Sequence, residues 1–208
     1  SSRIALLEDG VLIAPAPYSA PAAYYFPTQR RMSAMEVLKG PSSIRVGSRT
    51  TGGAVNMLST PIPTGQSMLV DAGYGQDDYR ELHAYYGGST EHLGWLFETV
   101  QQDSDGFKDI DGPVGGDTGF DINDYVAKFR VSTAANARFF QSLEFKYGYT
   151  EQDANETYLG LTDEDFDRDP KRRYAGSQRD EFESEHKQYQ FNHLLTPASR
   201  AWDLSTAA

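Results

Sequence analysis

The chain has 208 residues, with 30 Asp and Glu against 19 Lys and Arg. This acidic balance leaves no surplus of cations for neutralising phosphates and excludes nucleic acid as a partner. Cysteine is absent, which excludes disulfides, thiolate metal sites and a Cys nucleophile.

The 13 Tyr and 11 Phe are too much apolar ring for a solvated coil. No run approaches the ~20 apolar residues of a membrane helix. The start, Ser1-Ser2-Arg3-Ile4, has no basic stretch leading into an apolar one, so no signal peptide is expected there. A barrel strand, with about ten residues of alternating hydrophobicity, would escape both scans.

In chain order, Ile4 to Leu7 and Val11 to Ile13 are apolar runs on either side of Asp9-Gly10, a hairpin signal. Ala14 to Pro27 carries Pro15, Pro17, Pro21 and Pro27, which forbid a helix or a central strand. That loop displays Tyr18, Tyr24, Tyr25 and Phe26, which either pack on one another or face a ligand. Met35 to Leu38 reads as a strand ended by Gly40-Pro41, and Ala54 to Leu58 as another, closed by Pro61 and Pro63. Gly47 and Gly52-Gly53 suit positive φ or close backbone approach.

Met35-Glu36-Val37-Leu38-Lys39-Gly40-Pro41, then Val46-Gly47, then Gly52 to Asn56 with Ser59-Thr60-Pro61, resembles the plug segment of TonB-dependent outer-membrane receptors. Leu7-Glu8-Asp9-Gly10-Val11 resembles the hairpin that precedes it. The resemblance implies that Lys39 forms an ion pair between plug and barrel, with carboxylates on the inner barrel wall. It also implies a place in the outer membrane of a Gram-negative bacterium, in contact with lipid. The implied partner is TonB, whose contact box would lie upstream, and the implied ligand is a transported iron chelate. No cofactor bound by the chain itself is expected.

From Gln66 the pattern changes to period two. Met68, Val70, Ala72 and Tyr74 alternate with Ser67, Leu69, Asp71 and Gly73; Leu93, Trp95 and Phe97 with Gly94, Leu96 and Glu98; and Tyr125, Ala127, Phe129 and Val131 with Val126, Lys128, Arg130 and Ser132. Leu82, Ala84 and Tyr86 form a run of the same kind before Leu93. Phe139 to Tyr149, then Tyr189 and Phe191, continue the pattern, and Trp202 and Leu204 open a seventh strand. A soluble sandwich would alternate too. The connections favour a barrel. Short turns at 87–92, 134–137 and 195–200 interleave with long polar loops at 101–124 and 153–184, as periplasmic turns and extracellular loops do. The expected fold class is mainly β. The C-terminal part of a plug domain (1–63) precedes about seven antiparallel strands of an incomplete transmembrane β-barrel (66–208). Family members close with about 22 strands.

Glu156-Thr157-Tyr158-Leu159-Gly160-Leu161-Thr162 and Arg172-Arg173-Tyr174 are similar to ferric-citrate-type receptors. The resemblance points to Tyr18, Tyr24, Tyr25 and Arg30 on the plug, and to Tyr158, Arg172 and Arg173 on the loop, as ligand-binding. Arg31, Arg45 and Arg49 are further plug cations, and Arg168, Lys171 and Arg179 further loop cations. The acids Asp163, Glu164, Asp165, Asp167 and Asp169 oppose an anionic ligand in that loop.

Asp103-Ser104-Asp105-Gly106 with Asp109 and Asp111 suggests a calcium loop but lacks its full spacing. The four His make no metal spacing and no catalytic constellation stands out, so an enzyme is not expected. Two rival readings stay open: a secreted or surface β-rich binding module, and a receptor of the same family acting mainly in signal transduction.

Overall fold

The computed structural model describes residues 4–13, 25–40, 46, 51–113 and 116–207. Two sheets carry most of the structure. The first is mixed. β1 (Ile4–Glu8) and β2 (Val11–Leu12) form an antiparallel hairpin. Its two turn residues, Asp9 at φ 51° and Gly10 at φ 85°, both take the positive φ that a tight two-residue turn requires. β1 also pairs in parallel with β4 (Gly53–Ser59), which pairs antiparallel with β3 (Met32–Leu38). The strand order is β2-β1-β4-β3.

Ala5, Leu7 and Ala54 form the core on one face of this sheet, with Leu38 and Val46 against them. Ile13, Tyr25 and Met57 form the core on the other. Gly53 has φ 116°, and a Cβ there would lie 2.8 Å from the Leu38 carbonyl oxygen. The second glycine of the Gly52-Gly53 pair is therefore set both by conformation and by the closeness of β3.

The second sheet is an antiparallel meander. Its members are β5 (Ser67–Tyr74), β6 (Arg80–Ser89), β7 (Leu93–Ser104), β9 (Phe120–Ser132), β10 (Phe139–Asn155), β12 (Glu181–Pro197) and β13 (Leu204–Ala207). The seven strands are those expected from the alternation. Several run further, because β7 reaches Ser104 and β9 begins at Phe120, while β10 reaches Asn155 and β12 begins at Glu181. The long loops shrink to 105–119 and 156–180. The ends of β7 and β10 are almost wholly polar, and Phe120, Ile122 and Phe182 are isolated apolar residues at the starts of β9 and β12, yet the backbone ladder continues through Asp103↔Asp121 and Asp153↔Glu183.

Burial across this sheet is inverted relative to a water-soluble protein. Met68, Val70, Phe97, Phe129 and Phe191 are exposed on one face. Glu98, Asp124, Lys128, Lys146 and Gln190 are buried on the other, against the plug sheet. Aromatic rings meet across the apolar face, with Phe97 and Phe129 edge to face at 5.4 Å and Phe145 beside Phe191 at 4.9 Å. A sandwich would cover this face with a second sheet. Instead the covered face is the polar one.

The segment joining the two sheets lies at the short-turn end. Ser89 Oγ donates to the Pro63 carbonyl at 2.8 Å, and Gly87 and Gly88 leave room for Pro63 and Gln66. The short 3-10 turn Gln29–Arg31 leads directly into β3.

Gly53→Ala tests the packing of the plug sheet. It should destabilise the plug by about 1–3 kcal/mol. In the detergent-solubilised full-length protein this would be read as faster proteolytic cleavage of the plug with the barrel intact.

Candidate functional site: a buried polar clamp and the loops above it

The turn after β1 aims two carboxylates, Glu8 and Asp9, at the sheet wall, and Arg31 at the end of the 3-10 turn joins them. Arg31 is 1% exposed and Glu8 is fully buried. The Arg31 guanidinium donates through Nη1 to Glu8, through Nε to Asp124 Oδ2 on β9 at 2.7 Å, and through Nη2 to the Tyr25 hydroxyl at 3.2 Å. Thr28 Oγ1 donates to the same Asp124 oxygen.

The wall answers with two lysines. Lys146 on β10 donates to Glu8 and, at 2.7 Å, to Asp9 Oδ2. Lys128 on β9 donates to Ser59 Oγ at 2.7 Å and to the Thr60 carbonyl at 2.8 Å, and lies 3.6 Å from Asp9 Oδ2. Ser59 donates its backbone N–H to Asp9 at 2.8 Å. Gln190 on β12 donates to the Asp9 carbonyl at 3.1 Å. A second contact runs from Thr60 Oγ1 to Glu98 at 2.7 Å, and the same Glu98 oxygen lies 2.8 Å from His83 Nε2.

Electrostatics fix the protonation of the plug members. Burial opposes ionisation of Glu8, but the charges of Arg31 and Lys146 outweigh it and hold its carboxyl below the usual range. Burial likewise opposes ionisation of Asp9, and Lys128 and Lys146 pull its carboxyl well below that range. Burial works against the charged form of Arg31, yet Asp124 and Glu8 raise its pKa further above its ordinary value. Burial pushes the Tyr25 hydroxyl up to about 12, so it stays neutral. Glu8, Asp9 and Arg31 are thus held in their charged forms where they meet the wall.

Of the residues singled out in the sequence, Tyr18, Tyr24, Arg45 and Arg49 lie outside the described residues. Tyr25 is 7% exposed and stacks on His186 of β12 with ring centroids 3.6 Å apart. It also borders a cavity of about 220 Å³ with Phe26, Gln102, Thr150, Gln152 and Ser184. Arg30 bonds to Glu81 on β6 at 2.6 Å and to Asp71 on β5 at 3.2 Å. Lys39 follows β3 and is exposed. Arg30, Arg31, Lys128 and Lys146 make ion pairs across the interface between the two sheets.

In the loops, Tyr158 is 66% exposed. Arg172 is engaged by Asp111 at 2.9 Å and by Asp165 at 2.8 Å, whereas among the described residues Arg173 donates to the carbonyls of Pro170 and Arg172. The suspected calcium segment is drawn apart. Asp111 faces Arg172, and among the described residues no three His, Asp or Glu side chains group to hold a metal ion.

The clamp residues Glu8, Asp9, Asp124, Lys128 and Lys146 were not picked out as functional in the sequence. Glu8 and Asp9 read there only as turn chemistry. The available signal was a full charge at inward positions of otherwise apolar strands, Lys128 between Ala127 and Phe129 and Lys146 between Phe145 and Tyr147.

No family model matches the sequence. Among solved structures, the chain is similar to the ferric citrate transporter FecA in its unliganded form. The TM-score is 0.73 and the identity 19%, covering 95% of this chain and 29% of that one. It is also similar to the ferric enterobactin receptor PfeA of Pseudomonas aeruginosa in complex with enterobactin (TM-score 0.63, 16% identity, 99% of this chain and 32% of that one). A third similar structure is the copper transporter OprC (TM-score 0.61, 15% identity, 100% and 29%). The chain spans about three-tenths of the length of these structures.

Lys146→Ala in the full-length protein should strand Glu8 and Asp9 and weaken plug seating by about 3–5 kcal/mol, the usual cost of removing one partner of a buried ion pair. Leak of large antibiotics into cells would report it. Acid gives a second test. Glu8 and Asp9 have depressed pKa values when seated, so their stabilisation is present above the ordinary carboxylate range and is lost as pH falls through the depressed values. Plug protection from protease should be flat above about pH 5 and decline in stronger acid.

The chain therefore has the fold of TonB-dependent receptors, here a four-stranded sheet seated against a seven-stranded antiparallel one.

Proposed function

We propose that this chain is the plug end and first barrel wall of an outer-membrane receptor that imports a ferric chelate in a TonB-dependent way. The observation that carries this reading is the pairing of an apolar outer face with a polar inner face that holds the plug by charge. The outer face suits lipid. The inner face suits a plug that must block the barrel at rest and still move. A ligand seated from outside would bias that movement by binding one plug position better than the other.

Ferric citrate is the ligand suggested by the loop resemblance, and the similarity to the ferric citrate transporter is compatible with it. The similar structures also include a ferric enterobactin receptor and a copper transporter, so the fold alone does not choose the cargo. Among the plug and loop cations, Arg30 and Arg172 already have carboxylate partners. A strongly anionic ligand would have to compete with those partners. Lys39, Tyr18 and Tyr24 remain part of the proposal as plug residues that seat the plug or meet the ligand.

The test is uptake of radiolabelled iron by cells carrying the full-length gene, with and without TonB, presented as dicitrate, tris-catecholate or trihydroxamate complexes. TonB-dependent uptake of at least one complex is expected. Uptake of none, or uptake that persists without TonB, would refute the reading.

A further inference from the structure

Loops 105–119 and 156–180 are fastened into one body. The short strands β8 (Asp109–Ile110) and β11 (Arg172–Arg173) pair in parallel. Asp109 N–H donates to the Lys171 carbonyl at 3.0 Å and Asp111 N–H to the Arg173 carbonyl at 2.8 Å. Arg172 ties Asp111 to Asp165 on the short helix α1 (Asp163–Arg168), and the Tyr174 hydroxyl donates to Asp165 at 2.6 Å. Tyr174 and Arg172 together hold the Asp165 carboxyl below its usual range, so this knot is ionised at neutral pH.

The knot leaves a cavity of about 370 Å³ lined by Lys108, Thr157, Leu159, Leu161, Phe166 and Arg173. Two of these are cations of a different kind from their neighbours. Arg168 and Arg172 sit on carboxylates. Lys108 Nζ instead donates to Thr157 Oγ1 at 2.9 Å, and Arg173 Nη1 donates to the carbonyls of Pro170 at 2.9 Å and Arg172 at 2.6 Å. Neither is ion-paired with a carboxylate among the described residues. Neutral acceptors orient both groups and leave their charge uncancelled. Asp163 is the one acid in the lining, so the cavity carries a net positive charge inside an acidic chain. Leu159 and Phe166 line it while still 49% and 57% exposed, so apolar surface stands beside the two cations.

Resting on the uptake reading above, we propose that this cavity is a recognition subsite for an anionic, aryl-bearing ferric chelate. Phenolate or carboxylate oxygens would meet Lys108 and Arg173, and the aryl ring would cover Leu159 and Phe166. Ferric dicitrate matches the charge but brings no apolar face. A neutral trihydroxamate complex matches neither feature of the cation pair. Fastening of the two loops pre-orders the subsite, so little ordering is left to be done on binding. The sequence alone pointed to Arg172 and Arg173 together, and the structure separates them. Arg172 builds the knot and Arg173 faces the cavity, with Lys108 from the other loop as its companion.

The experiment is titration of the purified full-length receptor with a ferric tris-catecholate, ferric dicitrate and a ferric trihydroxamate. Wild type should bind the tris-catecholate most tightly. The double variant Lys108→Gln with Arg173→Gln should lose about 10- to 100-fold of that affinity, the range for hydrogen bonds to charged groups. The charge-keeping variant Lys108→Arg with Arg173→Lys should stay within about threefold of wild type, which separates loss of charge from loss of loop structure. Arg200→Gln, exposed on the short turn at the opposite end of the sheet, should leave binding unchanged. Unchanged tris-catecholate affinity in the double Gln variant would overturn the subsite, as would a wild-type preference for dicitrate or trihydroxamate. If wild-type cells still import a ferric chelate in that case, the subsite fails and the uptake reading stands. If they import none, the uptake reading itself has failed.

Discussion

Everything else in this structure hangs on the charge cluster between the Glu8-Asp9 turn and the wall. It fixes where the plug sheet sits. Glu8 and Asp9 come from one tight turn, Arg31 from the turn before β3, and Lys128, Lys146 and Asp124 from two adjacent strands. A slip of β9 or β10 by one residue in its strand pairing would turn Lys128 or Lys146 outward, because side chains alternate faces along a strand. The apolar exterior and the charged interior therefore depend on a single register.

The cluster also explains why a chain with a normal share of apolar residues buries so few of them in this sheet. Phe97, Phe129, Tyr189 and Phe191 are surplus to the plug–wall contact and stay on the outer face. Where they end, the outer face becomes acidic. Asp103, Asp121, Asp153 and Glu183 stand in one row across four strands. Like charges placed directly opposite one another destabilise a sheet. Such a row is tolerable only where water and ions reach it, which puts it beyond the apolar band and beneath the fastened loops.

Much of this was legible in the sequence, and for identifiable reasons. The Asp9-Gly10 hairpin followed from turn chemistry, and the seven strands followed from period-two runs that a helix cannot reproduce. Gly53 followed from the demand for a residue without a side chain. Strand ends did not follow, because Gln101 to Asp103 and Gln152 to Asn155 hold no apolar residue larger than Ala154. The parallel pairing of β1 with β4 did not follow either, since residues nearly fifty positions apart share no local signal. The clamp was missed for a related reason. Lys128 and Lys146 looked like the polar half of an alternating strand, and nothing local says whether such a residue meets water or a buried carboxylate. Cations in the loops were recognisable, but which of them were already neutralised depended on contacts between segments as distant as Asp111 and Arg172.

A plug held by ions has a property that one held by grease would lack. Removing one partner by mutation strands the other in a dry site, and the cost is large. Moving the whole plug is different, because both partners pass into water together and recover their hydration. The net strength of a buried ion pair against separation is small, since desolvation offsets much of its attraction. A clamp of Glu8, Asp9 and Arg31 against Lys128, Lys146 and Asp124 is therefore strict about register and lenient about release. An apolar plug face would reverse that balance, tolerating small slips yet exposing greasy surface to water when drawn away. Two surfaces that must meet in one register and still separate without exposing grease are better matched by ions than by an apolar contact.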